Sequence, residues 1–361
     1  MMTPAWHPGS LLQLAGSYWQ TFALHAGVKL RLFTILSDGP LTAPEVASRA
    51  DAHARGVATL LNALCAMDLL SKDKDRFVLV DAARRYLVEG AEAYIGHMIL
   101  HHHHLSGSWA RLDEAVRAGT PLRTSASFGD PKQREAFLMG MFNNAMLQAP
   151  AIVEAVDLAG RHRLLDLGGG PGTYAIHFCK KNPQLKAVVA DLPTTRPFAE
   201  RTVARFGLSQ RIGFSAVDIL MDDIDGRYDA VWLSHLLHAL GPEDCSQVIA
   251  KAAAVLEPGG TILIHEFILN DSLDGPLFAA LFSLNTLLGT DHGRSYSEGQ
   301  LRTMLAEAGM VGPTLFLFGD SLPHLLSRKQ HDPLGVDLDG MRFGQIAVDD
   351  QGDLGGQGIY F

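Results

Sequence analysis

The sequence predicts an α/β fold: a mostly parallel sheet of the nucleotide-binding type, behind a mainly helical N-terminal region. Three observations predict it. The apolar stretch Arg163-Leu164-Leu165-Asp166-Leu167 runs directly into Gly168-Gly169-Gly170-Pro171-Gly172, and Thr173 to Lys180 then reads as a helix. Short apolar, β-branched stretches recur downstream, each alternating with helical sequence. Ahead of them, Leu11 to Leu36 places its apolar residues at helical spacing.

The glycines let the backbone turn sharply and let a ligand approach where a Cβ would stand. A dinucleotide fingerprint would need glycine or alanine at Thr173; the pattern is instead Asp166-x-Gly168-x-Gly170-x-Gly172. The second strand, Leu185 to Ala190, ends in Asp191-Leu192-Pro193. An acid there accepts ribose hydroxyls from an adenosine, or caps a helix that Pro193 and Thr194 would open. A third strand, Ile212 to Val217, ends in Asp218-Ile219, placed for the adenine amine and ring face. Tyr228 to Ser234 reads as the fourth strand. Thr261 to Phe267 reads as the fifth, after Glu257-Pro258-Gly259-Gly260. Ligands of such a sheet sit at its carboxyl edge.

The run from Asp166 to Gly172 resembles the first motif of class I methyltransferases that use S-adenosylmethionine. After the fourth strand comes Ser234-His235-Leu236-Leu237-His238-Ala239-Leu240-Gly241-Pro242-Glu243-Asp244-Cys245. Here the resemblance narrows to plant-type and bacterial small-molecule O-methyltransferases, over roughly Leu12 to Pro323. It implies a Rossmann-like methyltransferase domain binding S-adenosylmethionine, with S-adenosylhomocysteine as product. The implied cofactor contacts are Asp166, Gly168, Gly170, Gly172, Asp191, Leu192, Asp218, Ile219 and Ser234. The resemblance makes His238 the general base and Glu266, near the end of the fifth strand, the acid that holds it. An imidazole with a reference pKa near ~6.5 takes a hydroxyl proton at neutral pH, and a carboxylate beside it fixes its tautomer. His235 competes for the role, and the leucines between the two histidines suggest that only one faces the cleft. The chain departs from the plant pattern at Ala239 and Leu240, where aspartate and tryptophan are usual. Ser295 stands at an acidic position, and Ser234 where lysine is common.

The N-terminal region breaks at Ser37-Asp38-Gly39-Pro40. It resumes with Thr42 as helix cap and Glu45 three residues on. Ala54 to Leu69 reads as a second helix and Arg76 to Val80 as a short wing strand, a winged helix-turn-helix outline. A DNA-binding regulator is the rival reading. Its recognition helix would carry Arg55 among apolar side chains, in a chain with 30 basic and 39 acidic residues and a formal charge of -9. A phosphate-binding face needs clustered lysine and arginine. In the resembling family this module mediates homodimerisation.

Ser108 to Val116 resembles the family's linker helix, and Phe137 to Met146 its Phe-Asn-x-x-Met element. Phe142, Asn143 and Met146, with Asn285 and Thr286, are candidates either for lining an acceptor pocket or for plain core packing. The expected division is a dimerisation domain over 1–105, linker helices over 106–150, the methyltransferase domain over 151–328, and a Gly/Asp-rich tail over 329–361. That tail matches nothing in the family; it would be disordered, or dock its apolar end, Gly358-Ile359-Tyr360-Phe361. His97, His101 and His104 share one helical face of the His101–His104 run, yet no cysteine or carboxylate joins them at ligand spacing, so no metal is expected. Cys65, Cys179 and Cys245 form no even disulfide set. No signal-peptide pattern and no sufficiently long apolar run is seen. The expectation is therefore a cytoplasmic homodimer with a small-molecule acceptor, without nucleic acid or membrane. The reading is an O-methyltransferase acting on an aromatic or polyketide-like metabolite. The alternatives are transfer to carbon or nitrogen, non-methylating chemistry, or a non-catalytic protein.

Overall fold

The computed structural model describes residues 6–124, 130–318 and 343–349. The chain forms two compact units: one from residues up to Gly107 plus Pro131–Asn144, the other from Ser108–Asp130 plus the chain from Ala145 onward.

The first unit opens with α1 (Pro8–Gly16), α2 (Tyr18–Lys29) and α3 (Leu32–Ile35). The single helical stretch expected over Leu11–Leu36 is thus divided. Arg31, with φ 56°, makes one of the breaks. β1 (Leu41–Thr42) leads into α4 (Ala43–Arg49), then α5 (Ala54–Ala66), β2 (Leu70–Asp73), β3 (Arg76–Leu79) and α6 (Asp81–Tyr86). The cap at Thr42 is reciprocal: its Oγ1 accepts the Glu45 N–H, and Glu45 Oε2 accepts the Thr42 N–H at 2.7 Å. The wing is a three-stranded antiparallel sheet in the order β1-β3-β2. Leu32, Phe33, Leu61, Leu64 and Phe77 form its buried core.

α7 (Gly96–Trp109) and α8 (Leu112–Ala118) replace the continuous helix expected over Ser108–Val116. The chain leaves helical geometry at Arg111, where φ is -118° and ψ 24°. α9 (Pro131–Ala155) follows. Among the described residues, α9 is long and apolar enough to cross a membrane by length and composition. This corrects the expectation that no such run exists, which counted only uninterrupted apolar residues. In α9 they are interleaved with Lys132, Arg134, Glu135, Asn143 and Gln148, and Leu138, Phe142, Ile152 and Val153 are buried as in a core helix.

The second unit is Rossmann-like. Its elements are β4 (Arg163–Leu167), α10 (Thr173–Lys181), β5 (Lys186–Asp191), α11 (Arg196–Arg205), β6 (Ile212–Ala216), β7 (Tyr228–Ser234), α12 (Pro242–Ala254), β8 (Leu256–Phe267), α13 (Leu277–Gly289), α14 (Glu298–Glu307), β9 (Val311–Phe318) and β10 (Phe343–Asp349). The strand order is β6-β5-β4-β7-β8-β10-β9. The first five strands are parallel, and β10 runs antiparallel to both β8 and β9. Residues 343–349 are therefore a sheet strand, not part of a tail. Gly358–Phe361 lies outside the described residues. Side chains alternate across the sheet: Leu165, Leu167, Val231, Leu233, Ile262 and Ile264 join one core cluster. Leu164, Ala230, Trp232 and Leu263 join the other, on the opposite face.

Candidate active site

The carboxyl ends of β4, β5 and β6 meet through backbone bonds. Gly168 N–H donates to Ala190 O at 2.8 Å, and Val217 N–H to Asp191 O at 2.9 Å. Gly168, Gly170 and Gly172 all have left-handed φ, at 69°, 54° and 77°. A Cβ on Gly168 would lie 2.8 Å from Leu236 Cδ1, so that glycine permits close packing; over Gly170 nothing stands within 4 Å. The turn is thus open on the side where a ligand would approach.

Asp166 is 1% exposed. Its Oδ2 accepts the Ala175 N–H at 3.2 Å, and no described residue donates to its Oδ1. Burial pushes its carboxyl up to about 7. Asp191 is better supplied. Oδ1 accepts from Leu192 N–H at 2.7 Å and Thr195 Oγ1 at 2.9 Å, and Oδ2 from Gly170 N–H at 2.8 Å. It therefore caps the turn at Pro193–Thr195 and keeps acceptor capacity on Oδ2. Asp218 Oδ1 accepts the Leu220 N–H at 3.1 Å, ordering a turn in which Ile219 is part-buried. Lys251 holds that turn from α12. Its Nζ donates to the carbonyls of Ile219, Leu220 and Asp222 at 3.0, 3.1 and 2.7 Å. Sequence reading missed Lys251; a basic residue in the last turn of α12 was the available signal.

At the ends of β7 and β8 the geometry tightens. His238 Nδ1 lies 2.8 Å from Glu266 Oε2, and Glu266 Oε1 accepts the N–H groups of Leu237 at 2.8 Å and His238 at 3.3 Å. Glu266 is 3% exposed. Burial raises its carboxyl, but the charge and hydrogen bonds of His238 and His235 together outweigh burial and hold it below the ordinary carboxylate range. The expectation that the leucines separate the two histidines needs correction. His235 Nδ1 also comes within 3.8 Å of Glu266 Oε2, and the two rings lie 6.0 Å apart. The chain makes a 3-10 turn at Leu237–Ala239 after a left-handed His235, φ 52°.

The alternation along β8 sends His265 to the other face. Its Nδ1 is within hydrogen-bond reach of Ser234 Oγ at 2.9 Å and Tyr174 Oη at 3.4 Å, and its ring stacks on Trp232. Burial holds His265 well below its ordinary value, so it is neutral. Ser234 is thus tied to His265. Sequence reading missed His265, although a histidine next to Glu266 in an apolar strand was the available signal.

Aromatic rings surround His238. Phe282 meets it edge-on at 4.7 Å between centroids, Phe267 packs on Phe282 at 4.6 Å, and Phe278 on Phe267 at 4.8 Å. Of the five pocket candidates, Phe142 and Asn143 belong to the first unit and Met146, Asn285 and Thr286 to the second. Phe142 is buried. Asn143 Oδ1 is buried with no hydrogen-bond partner among the described residues. Met146 Sδ lies 3.4 Å from His177 Nε2. Asn285 Oδ1 accepts from Trp109 Nε1 at 3.3 Å. Thr286 is buried, and its hydroxyl donates back to Ser283 O at 2.8 Å, which uses it within its own helix. In the histidine run, His101 packs on Phe137 at 5.2 Å, and His103 Nε2 lies 3.1 Å from Lys29 Nζ. Among the described residues, the side chains that bring metal-ligating atoms together are His235, His238 and Glu266; the short His238–Glu266 contact makes these a hydrogen-bonded pair with a neighbour.

Known proteins share this fold. A family model for an O-methyltransferase domain matches residues 109–311, more than half of the chain, and one for an O-methyltransferase dimerisation domain matches residues 12–89. A 3-hydroxy-5-methyl-1-naphthoate 3-O-methyltransferase from Streptomyces sahachiroi is 34% identical over 308 residues, covering 84% of this chain and 89% of that protein. The tetracenomycin polyketide synthesis 8-O-methyl transferase of Streptomyces glaucescens is 32% identical, over 86% of this chain and 94% of its own. A solved O-methyltransferase family protein from Burkholderia thailandensis superposes with TM-score 0.80 at 28% identity, covering 96% and 99% of the two chains. With fold, motif spacing and both domain models in accord, the chain belongs to the class I, S-adenosylmethionine-dependent O-methyltransferase family and carries that family's dimerisation domain.

Proposed function

We propose that the protein methylates a hydroxyl on a fused-ring aromatic metabolite, with His238 as general base and Glu266 as the carboxylate that orients it. The observation that carries this reading is the 2.8 Å contact between His238 Nδ1 and Glu266 Oε2 beneath a cluster of phenylalanine rings. An ionised Glu266 accepts a hydrogen bond from Nδ1–H, which leaves the lone pair on Nε2. Nε2 then takes the acceptor's hydroxyl proton as its oxygen attacks, and Glu266 stabilises the resulting imidazolium. The phenylalanine rings exclude water and offer faces to a planar acceptor. The naphthoate and tetracenomycin acceptors of the two relatives fit such rings.

The residues at the carboxyl ends of β4, β5 and β6, on the same sheet edge, fit an adenosyl cofactor. Gly168, Gly170 and Gly172 make the left-handed turn and Gly170 leaves open space above it, Asp191 Oδ2 keeps capacity for ribose hydroxyls, and Asp218 with Ile219 is assigned to the adenine. Asp166 and Leu192 support the turn, and Ser234 contributes through His265. When bound, S-adenosylmethionine supplies a methyl already activated on a sulfonium. Phe142, Asn143, Met146 and Asn285 are assigned to acceptor binding, with Thr286 in a supporting place. We further propose the functional division 1–105, 106–150 and 151 onward, a homodimer formed through the dimerisation module, and a cytoplasmic location. The acidic charge of -9 supports a role without nucleic acid or membrane. The test is methyl transfer from S-adenosylmethionine to naphthol acceptors by wild type and His238→Ala: equal rates would remove the base from the mechanism.

A further inference from the structure

The geometry points to Arg123 and Asn285 as a carboxylate-binding pair that selects aromatic hydroxy acids as methyl acceptors. This rests on the O-methyltransferase reading and narrows its substrate class. Arg123 lies just beyond α8, where the N–H groups of Leu122 and Arg123 dock on Leu288 O near the end of α13 at 3.0 and 3.2 Å. Its Nη2 donates to Asn285 O and Asn285 Oδ1, both at 2.9 Å, and its Nε to Ser108 Oγ at 3.2 Å. The guanidinium passes over Gly289, where a Cβ would lie 2.6 Å from its Cζ. It is half-buried, and no carboxylate pairs with it among the described residues. Burial without such a partner pulls its pKa down.

What remains at this place is a set of donors. Arg123 Nη1 carries two N–H groups with no partner among the described residues. Asn285 Oδ1 accepts from both Arg123 and Trp109, which fixes the amide's orientation and leaves its Nδ2 with two more N–H groups. Four donors and a full positive charge, with no carboxylate beside them among the described residues, match a planar carboxylate held in two-point fashion. A cap on the α13 C-terminus accounts for Nη2 but not for Nη1 or Nδ2. The position also fits the chemistry. Phe278, Phe282, Asn285 and Gly289 follow one another at spacings of four, three and four along α13, so they share a face. Phe282 touches His238, and Asn285 lies about 4.5 Å further along the axis. The ring that meets the base and the amide that holds the guanidinium thus lie on one face of α13.

The test is calorimetric titration of the full chain, saturated with S-adenosylhomocysteine, with 3-hydroxy-1-naphthoate, its methyl ester and 2-naphthol. The ester keeps the carbonyl and loses the charge. The expected result is that the acid binds about tenfold or more tightly than either neutral probe, ~1.4 kcal/mol. In Arg123→Gln that preference should collapse to near unity, while Arg123→Lys, which keeps a cation at the helix end, should retain part of it. Equal binding of acid and ester by wild type would overturn the proposal. So would equal weakening of all three probes in Arg123→Gln, the mark of a purely structural arginine, or no binding of any probe to the loaded enzyme. Failure of S-adenosylhomocysteine to bind would instead overturn the methyltransferase reading itself, and it is read first in the same titration.

Discussion

Two buried carboxylates end neighbouring parts of one sheet and behave oppositely. Asp166, on β4, is 1% exposed and Glu266, on β8, 3% exposed. Burial pushes Asp166 up to about 7, helped by nearby Asp191, with one backbone N–H in opposition. The same burial acts on Glu266, but two backbone N–H groups bind it and two imidazoles stand beside it, and its carboxyl falls below the ordinary range. Equal burial thus gives a carboxyl poised to be neutral beside the glycine turn and a fixed anion beside the histidines. The partners decide, and only the second arrangement can stabilise a cation that forms during proton transfer.

The sharpest way to break this comparison is at the anion. His238→Ala should lower kcat by about 10²–10⁴ on a naphthol acceptor, with S-adenosylhomocysteine affinity retained. Glu266→Gln should lower kcat on the order of 10² by leaving the imidazolium without its counter-charge. The Glu266 pKa is depressed in the fold, so its stabilisation is present above the unfolded value of 4.5 and lost as pH falls below it. Wild type and Glu266→Gln should therefore converge in urea unfolding as pH drops through that range. Persistence of the gap at acid pH would show that the pairing is not ionic.

Next in size is Asp191→Ala, which should weaken S-adenosylhomocysteine by about 10- to 100-fold, as a lost charged acceptor of hydrogen bonds does. Unchanged affinity would leave Asp191 as a turn cap alone. Asp166→Asn tests the other member of the pair. Its folded pKa, about 7, lies above the unfolded 3.8. The native state therefore keeps a proton that the unfolded state has released, and stability is lost as pH rises from ~4 to ~7. The asparagine does not titrate, so its unfolding free energy should gain on wild type across that window by at most ~4 kcal/mol. A constant difference between the two proteins from pH 4 to 8 would refute the neutral-carboxyl account. The smallest effect is expected at Lys251→Met. Freeing the 218–222 turn should raise the Kd for S-adenosylhomocysteine a few-fold and leave that for the acceptor unaltered.

Much of this site is legible along the chain because its demands are local. A left-handed turn needs glycine at 168, 170 and 172, and a parallel strand that ends at the ligand edge shows an acid straight after its apolar run, as at Asp191 and Asp218. Period-two alternation also separates His265 from Glu266, a signal present in Ile262-Leu263-Ile264-His265-Glu266. Other features depended on chain distance. Residues 343–349 look like part of a glycine-rich tail because nothing beside them in sequence announces the strand edges of β8 and β9. α9 escaped a count of apolar runs because polar residues recur along it and interrupt every run.

The sequence by itself determined the glycine turn, the acids at the sheet edge and the succession of strands and helices from β4 to β8. Each follows from backbone conformation or from residue types within a few positions of one another. The tertiary structure decided which groups meet. It brought Glu266 to His238 across 28 residues, set a left-handed His235 beside them, gave Asp166 and Glu266 opposite ionisation, and laid Arg123 on Asn285 across 162. Partnership of that kind depends on how distant elements pack, and burial then turns each meeting, or its absence, into a charge state.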